Sequence, residues 1–261
     1  QGGFIFEAIG EGITIVSDKE WKVKRNSAYV DSSLYPPNYR IAEYSIYYDA
    51  GEEIGSWTDP SFDTSSWENA TEHADYGEAP YGKLYPRGIP FLKDYGLKDY
   101  ENSKDYENYT VTRLFGEKIT VDVPYNAQLT PYLKVIAPEG KKIRITTENT
   151  PIGAVATTYI TKEGEQEFEA LGWFNGEHIT YDIPKGVTVV SLMYRETGYD
   201  SSFAGNFKCD DEFLNSIDEM THNAMSGNGI LTNHQVPTAM DVRQIYLDLY
   251  EYMKISIVQD I

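Results

Sequence analysis

From residue 111 to 197 apolar and polar positions alternate in short runs: KITVDVPY, YLKVIAPEGKKIRITTE, AVATTYITKEGEQEFEAL and HITYDIPKGVTVVSLMYRE. Pro-Glu-Gly, Lys-Glu-Gly and Pro-Lys-Gly turns punctuate them. Period-two alternation gives each strand one face for a core and one for water, and turn signals roughly every ten residues are the spacing of an antiparallel sandwich. Residues 4 to 50 share this grammar in GITIVSD, EWKVKRN and, after Pro36-Pro37, AEYSIYYDA. The stretch GSWTDPSFDTSSWENA is rich in turn formers and carries Trp57, Phe62 and Trp67. Residues 71 to 110 read as loop, with Lys-Asp-Tyr repeated at 93–95, 98–100 and 104–106. That tract is expected to be a solvated polar loop, the sharper alternative being a row of tyrosines facing a ligand.

The period changes after Gly205. Phe213, Ile217, Met220 and Ala224 recur at helical spacing, and Asp210, Asp211 and Glu212 crowd the first turn, where exposed N–H groups favour negative charge. A second helix is expected after Pro237, with Val242, Ile245, Leu249 and Met253 on one face and Thr238 as cap. The expected fold is mainly β, an antiparallel β-sandwich with a short C-terminal helical segment. Its expected divisions are 1–50, strands of an upstream or shared sandwich, 51–205, a β-sandwich accessory domain, and 206–261, helical.

Composition removes several function classes. A net charge of −19 over 261 residues argues against nucleic acid and suits neutral ligands. The lone Cys209 excludes an intrachain disulfide. Four scattered histidines without HExxH or CxxC spacing predict no zinc site, and the lack of a phosphate loop or GxGxxG sets nucleotide cofactors aside. No apolar run approaches the ~18 residues of a membrane span. No signal peptide is visible, and QGGFIFEAIGEG reads as the middle of a strand, so an upstream portion is expected.

Candidate chemistry lies in the aromatics: 22 Tyr, 10 Phe and 4 Trp. Sugar sites present rings to pyranose faces and polar side chains to hydroxyls, but for any single ring the default role is sheet packing. Trp173 is the strongest exception, because GWFNGEH places it between glycines. Tyr81, Tyr85 and Arg87 in YGKLYPRG come second. Asp59 and Asp63 are expected to form Asx-turns, with calcium ligation as the alternative. The 41 acidic residues give no means of choosing a carboxylate pair, and no GxSxG motif offers another nucleophile.

Four segments in order, LYPRGIPFLKDYG, LTPYLKVIAPEGKKIRI, TYITKEGEQEFEALGWFNGEHITYDIPKG and YRETGYDSSFAGNFKCDDEFLNSI, resemble the bacterial α-L-rhamnosidases of glycoside hydrolase family 78. WTDPSFDTSSWENA is similar to the opening of the jelly-roll modules of such enzymes. The resemblance implies jelly-roll-like accessory sandwiches preceding an (α/α)6 barrel that hydrolyses terminal α-L-rhamnose with inversion. Phe207, Cys209, Asp211, Glu212, Leu214 and Asn215 fall on the segment that opens the barrel's first helix. Twelve helices of ~11–12 residues need well over a hundred positions, whereas 56 remain from 206 to 261. The barrel is therefore expected to be missing from this chain. Where the family carries Asp-Cys-Pro-x-Arg-Glu, the chain reads Gln235-Val236-Pro237-Thr238-Ala239-Met240, so no catalytic residue is carried over. The expected role is a non-catalytic β-sandwich portion of a rhamnosidase-like hydrolase, bracing the barrel and contacting a rhamnose-containing glycan. The alternative is a free-standing carbohydrate-binding or scaffold protein derived from such an enzyme. The family association implies an extracytoplasmic, periplasmic or secreted location.

Overall fold

A computed structural model describes residues 3–30, 45–80, 82–86, 88, 91–148, 150, 155–172, 174–199 and 207–218. The expected second helix, the QVPTAM segment and the first helix beyond 218 lie outside the described residues. The chain forms two compact units, 1–27 with 53–89 and 28–52 with 90–261.

In the first unit β1 (Glu7–Gly10) and β2 (Ile13–Val16) make an antiparallel hairpin, and β3 (Lys22–Val23) pairs with β5 (Glu68–Asn69). Phe4, Phe6 and Trp21 pack ring against ring at 5.7–6.2 Å, and the Trp21 indole donates to Val16 O at 2.7 Å. The ring trio ties the hairpin to the following segment.

The second unit is one large mixed sheet. Its strands are β4 (Ile46–Asp49), β6 (Leu92–Asp99), β7 (Tyr109–Thr110), β8 (Glu117–Ala137), β9 (Lys142–Thr147), β10 (Thr157–Ile160), β11 (Gly164–Glu169), β12 (Phe174–Ile183) and β13 (Thr188–Tyr199). The main path runs β4-β10-β9-β12-β8-β13-β6, with β11 on β8 and β7 on β13. The β4–β10 pair is parallel, a departure from the antiparallel expectation, and the other pairs are antiparallel.

The 21-residue β8 organises the unit. KITVDVPY and YLKVIA, read as separate strands in the sequence, are its two ends, continuous through Pro124 and Pro131. A proline removes a ladder donor, so it must sit where none is needed. Pro124 falls in the gap where pairing with β12 skips from Asp122 to Ala127, and Pro131 precedes the start of pairing with β11 at Tyr132. The first half of β8 pairs with β12 and the second with β11 and β13, so the sheet folds over the core. Tyr159 of β10 stacks on Phe168 of β11 at 4.5 Å, and both meet Tyr48 of β4. Odd positions of β8 face the core throughout: Ile119, Val121, Val123, Ala127, Leu129, Leu133, Val135 and Ala137 are buried.

The tract read as loop holds β6, β7 and a 3₁₀ turn at Ser103–Tyr106. β6 ends the main path against β13, and a polar strand suits a sheet edge. Gly96, at φ +80°, lies where the β6–β13 register shifts between Arg195 and Thr197.

A short helix spans 212–218. Asp211 caps it, its Oδ1 accepting the N–H groups of Phe213 at 2.9 Å and Leu214 at 3.3 Å. The Asn215 carboxamide clasps Cys209, accepting from its N–H at 2.9 Å and donating to its carbonyl at 2.8 Å. These polar residues of the resemblance motif thus build the helix start.

Candidate functional site

Of the four residues singled out for carbohydrate contact, Tyr85 is described and is 82 % exposed. Trp173, Tyr81 and Arg87 lie outside the described residues. The three repeated tyrosines part company. Tyr95 is exposed on β6, while Tyr106 packs against the edge of the core. Tyr100 is buried, its hydroxyl 2.9 Å from that of Tyr181 and its ring 5.0 Å from that of Tyr194. Burial raises the Tyr100 hydroxyl well above the ordinary phenol range, and the neighbouring Tyr181 adds to the effect. The repeat is therefore not one ligand-facing row.

Asp59 and Asp63 close local turns. Asp59 Oδ1 accepts from Ser61 N at 2.8 Å and Ser61 Oγ at 2.7 Å, and Asp63 Oδ1 accepts from Ser65 N at 2.8 Å. The Ser61 hydroxyl and amide lower the Asp59 carboxyl below its usual range, and the Ser65 amide does the same for Asp63. Among the described residues no cluster of three or more His, Cys, Asp or Glu is arranged to hold a metal.

The sheet gathers polar groups that the sequence did not single out. On the face of β8 away from the core, Thr130 lies opposite Arg195 of β13. The Thr130 hydroxyl donates to Glu169 Oε1 at 2.9 Å. Arg195 grips Glu169 through Nε at 2.7 Å and Nη2 at 3.1 Å, and reaches Asp94 through Nη1 at 2.9 Å. A planar guanidinium meets a carboxylate in this two-pronged way, so the group fixes strands β6, β11 and β13 to one another. Both carboxylates are held by the cation. At one end of the sheet Tyr125 donates to Glu196 Oε1 at 2.7 Å, and Lys98 bonds the other oxygen. Burial, followed by that carboxylate, pushes the Tyr125 hydroxyl up. Tyr95 lies beside this group with Lys93 and Lys98 each 5.5 Å from its ring centre. An exposed ring beside a carboxylate and ammonium groups can meet both faces of sugar chemistry, apolar and hydroxyl.

Further along β8, His178 Nδ1 is 2.8 Å from Asp122 Oδ1, and Asn102 donates to the other oxygen at 3.0 Å. The hydrogen bond to Asp122 raises the His178 pKa above its ordinary value. Here β12 bulges, and the free N–H groups of Glu177 and His178 donate to the Glu148 carboxylate at 2.7 and 3.1 Å. No sequence spacing signals these groups, because cross-strand register brings them together.

No protein-family model matches the chain, and no curated protein matches it. Solved structures do. The α-L-rhamnosidase from Dictyoglumus thermophilum aligns with 83 % of this chain at 25 % identity and a TM-score of 0.61. The chain carries a rhamnosidase-related domain. The fold is shared by α-L-rhamnosidases from Aspergillus terreus, at 18 % identity and a TM-score of 0.58, and from Streptomyces avermitilis, at 18 % and 0.59. The match covers 82 % and 83 % of this chain respectively. This chain spans only 24 %, 24 % and 20 % of those three proteins. The match therefore accounts for a quarter or less of each of those longer proteins.

Proposed function

We propose that this chain is the non-catalytic β-sandwich portion of an α-L-rhamnosidase-like glycoside hydrolase. It serves glycan processing by bracing a catalytic helical domain and by contacting carbohydrate. The observation that carries this reading is the alignment of 83 % of the chain with 24 % of a rhamnosidase. The absence of the family's Asp-Cys-Pro-x-Arg-Glu from the Gln235–Met240 segment supports a role without hydrolysis here. The 212–218 helix, capped by Asp211, is the start of the helical domain, and the sandwich is a jelly-roll-like accessory module of a protein acting outside the cytoplasm.

The carbohydrate part of the reading rests on two exposed rings, Tyr95 beside Lys93 and Lys98 and Tyr85, and on the place of Trp173 between glycines in the sequence. Calorimetric titration with rhamnose-bearing oligosaccharides tests it. Heat that saturates at millimolar sugar, weakened by Trp173→Ala or Tyr95→Ala, is expected. No heat at those concentrations would leave the bracing role alone. If the chain binds sugar as well alone as it does joined to a helical domain, it is a carbohydrate-binding module in its own right.

A further inference from the structure

Two glutamines are buried in the sheet, and they differ sharply. Gln166, 5 % exposed, satisfies its whole carboxamide. Its Oε1 accepts from Tyr159 Oη at 3.0 Å and Lys162 N at 2.9 Å, and its Nε2 donates to the carbonyls of Lys162 at 2.6 Å and Gly164 at 2.9 Å. Gln128, 1 % exposed on β8, has no hydrogen-bond partner at either Oε1 or Nε2 among the described residues. Leaving such a group unmet forfeits its hydration without a replacement bond, a cost that a leucine or methionine of similar volume would avoid.

Gln128 is not isolated. Period-two alternation puts Asn126, Gln128 and Thr130 on the face of β8 turned away from the apolar core. Asn126 Oδ1 is likewise buried without a partner among the described residues. Across the strand pair Gln128 lies opposite Asn175 of β12, itself 3 % exposed. Next along the row, Thr130, Glu169, Arg195 and Asp94 are locked together. One end of the row is thus rigid and bonded, while the other presents a buried donor and acceptor side by side.

We propose that the Asn126–Gln128–Thr130 row, with Asn175 across it, is a binding site for a neutral polyhydroxyl ligand, a pyranoside. The Gln128 carboxamide has one donor edge and one acceptor edge, the complement of two adjacent hydroxyl groups that donate and accept in turn. Asn126, Gln128, Thr130 and Asn175 are themselves uncharged, and the adjoining Arg195 is already paired with Glu169 and Asp94, so an uncharged ligand is favoured over an anion. Because Gln128 is nearly fully buried, binding is coupled to local opening and is slower than diffusion. This site deepens the carbohydrate-contact reading and rests on it. The competing occupant is ordered water, which also satisfies buried amides.

Side-chain amide resonances of the ¹⁵N-labelled chain, followed during titration with methyl α-L-rhamnoside, decide between them. Expected are slow-exchange shifts of the Gln128 NH₂ pair and a loss of affinity of about tenfold or more in Gln128→Leu. Gln128→Met serves as a second variant should the leucine repack the strand. Shifts confined to other residues, with unchanged affinity in both variants, would overturn this site and leave the carbohydrate reading standing. A sugar that moves no resonance in the unmutated chain would overturn both, with water as the occupant of the row.

Discussion

At the scale of single residues, the polar groups that hold the sheet faces make distinct demands. Arg195 binds Glu169 through two nitrogens and Asp94 through a third while only about a third exposed, so Arg195→Ala leaves two partners without their cation. A loss of about 1–3 kcal/mol in urea unfolding is expected, and Arg195→Lys should recover only part of it, since a point charge cannot reproduce the fork. His178 gives a pH signature. Its folded pKa is raised by Asp122, so the pairing stabilises the fold fully below the ordinary histidine value and fades as pH rises through the folded pKa. The stability difference between the unmutated chain and His178→Gln should therefore be larger at about pH 5.5 than at about pH 8.5. An equal difference at both would show that the pair is not formed. None of these contacts has a local motif. Arg195 and Glu169 are 26 positions apart and His178 and Asp122 are 56, so their meeting is legible only after register is known.

At the scale of elements, what was legible followed the alternation, and what was missed lay where polar sequence does structural work. The apolar runs of β9, β10, β12 and β13 show themselves because their buried faces repeat every second residue. β6 was hidden, because an edge strand of Asp, Lys and Gly carries no such repeat. The continuity of β8 was hidden by its prolines, which read as breaks until the pairing gaps around them are seen. The parallel β4–β10 pair joins segments more than a hundred positions apart and leaves no local mark. Turn geometry supplies a sharper prediction. Gly116 sits at φ +78°, and a Cβ there would come within 2.6 Å of Ile183 O, a backbone atom that cannot step aside. Gly116→Ala should cost about 2 kcal/mol or more, read as a fall in the denaturation midpoint with unchanged slope. At the helix start, Asp211→Ala removes the acceptor for two N–H groups and should cost about 1 kcal/mol of local stability. Faster hydrogen exchange at Phe213 and Leu214 is its direct readout.

At the scale of the whole molecule, the mainly β character and the change to helix after 205 were both written in periodicity, and the rhamnosidase resemblance was carried by ordered segments spread along the chain. The candidate contact surface was far less legible. Aromatic residues are so frequent here that composition could not separate Tyr100, which is core, from Tyr95, which is exposed. The row around Gln128 had no signal in the sequence, since Asn126 to Thr130 fall between the two apolar runs and join them only as the middle of a 21-residue strand. The role proposed for this chain is that of the β portion of a rhamnosidase-like protein, without the hydrolytic centre. Incubation of the purified chain with an aryl α-L-rhamnoside, following release of the aglycone, puts that role to the test. No release above the uncatalysed rate is expected. Sustained release over many turnovers, abolished by substitution of a carboxylate within the sheet, would contradict it.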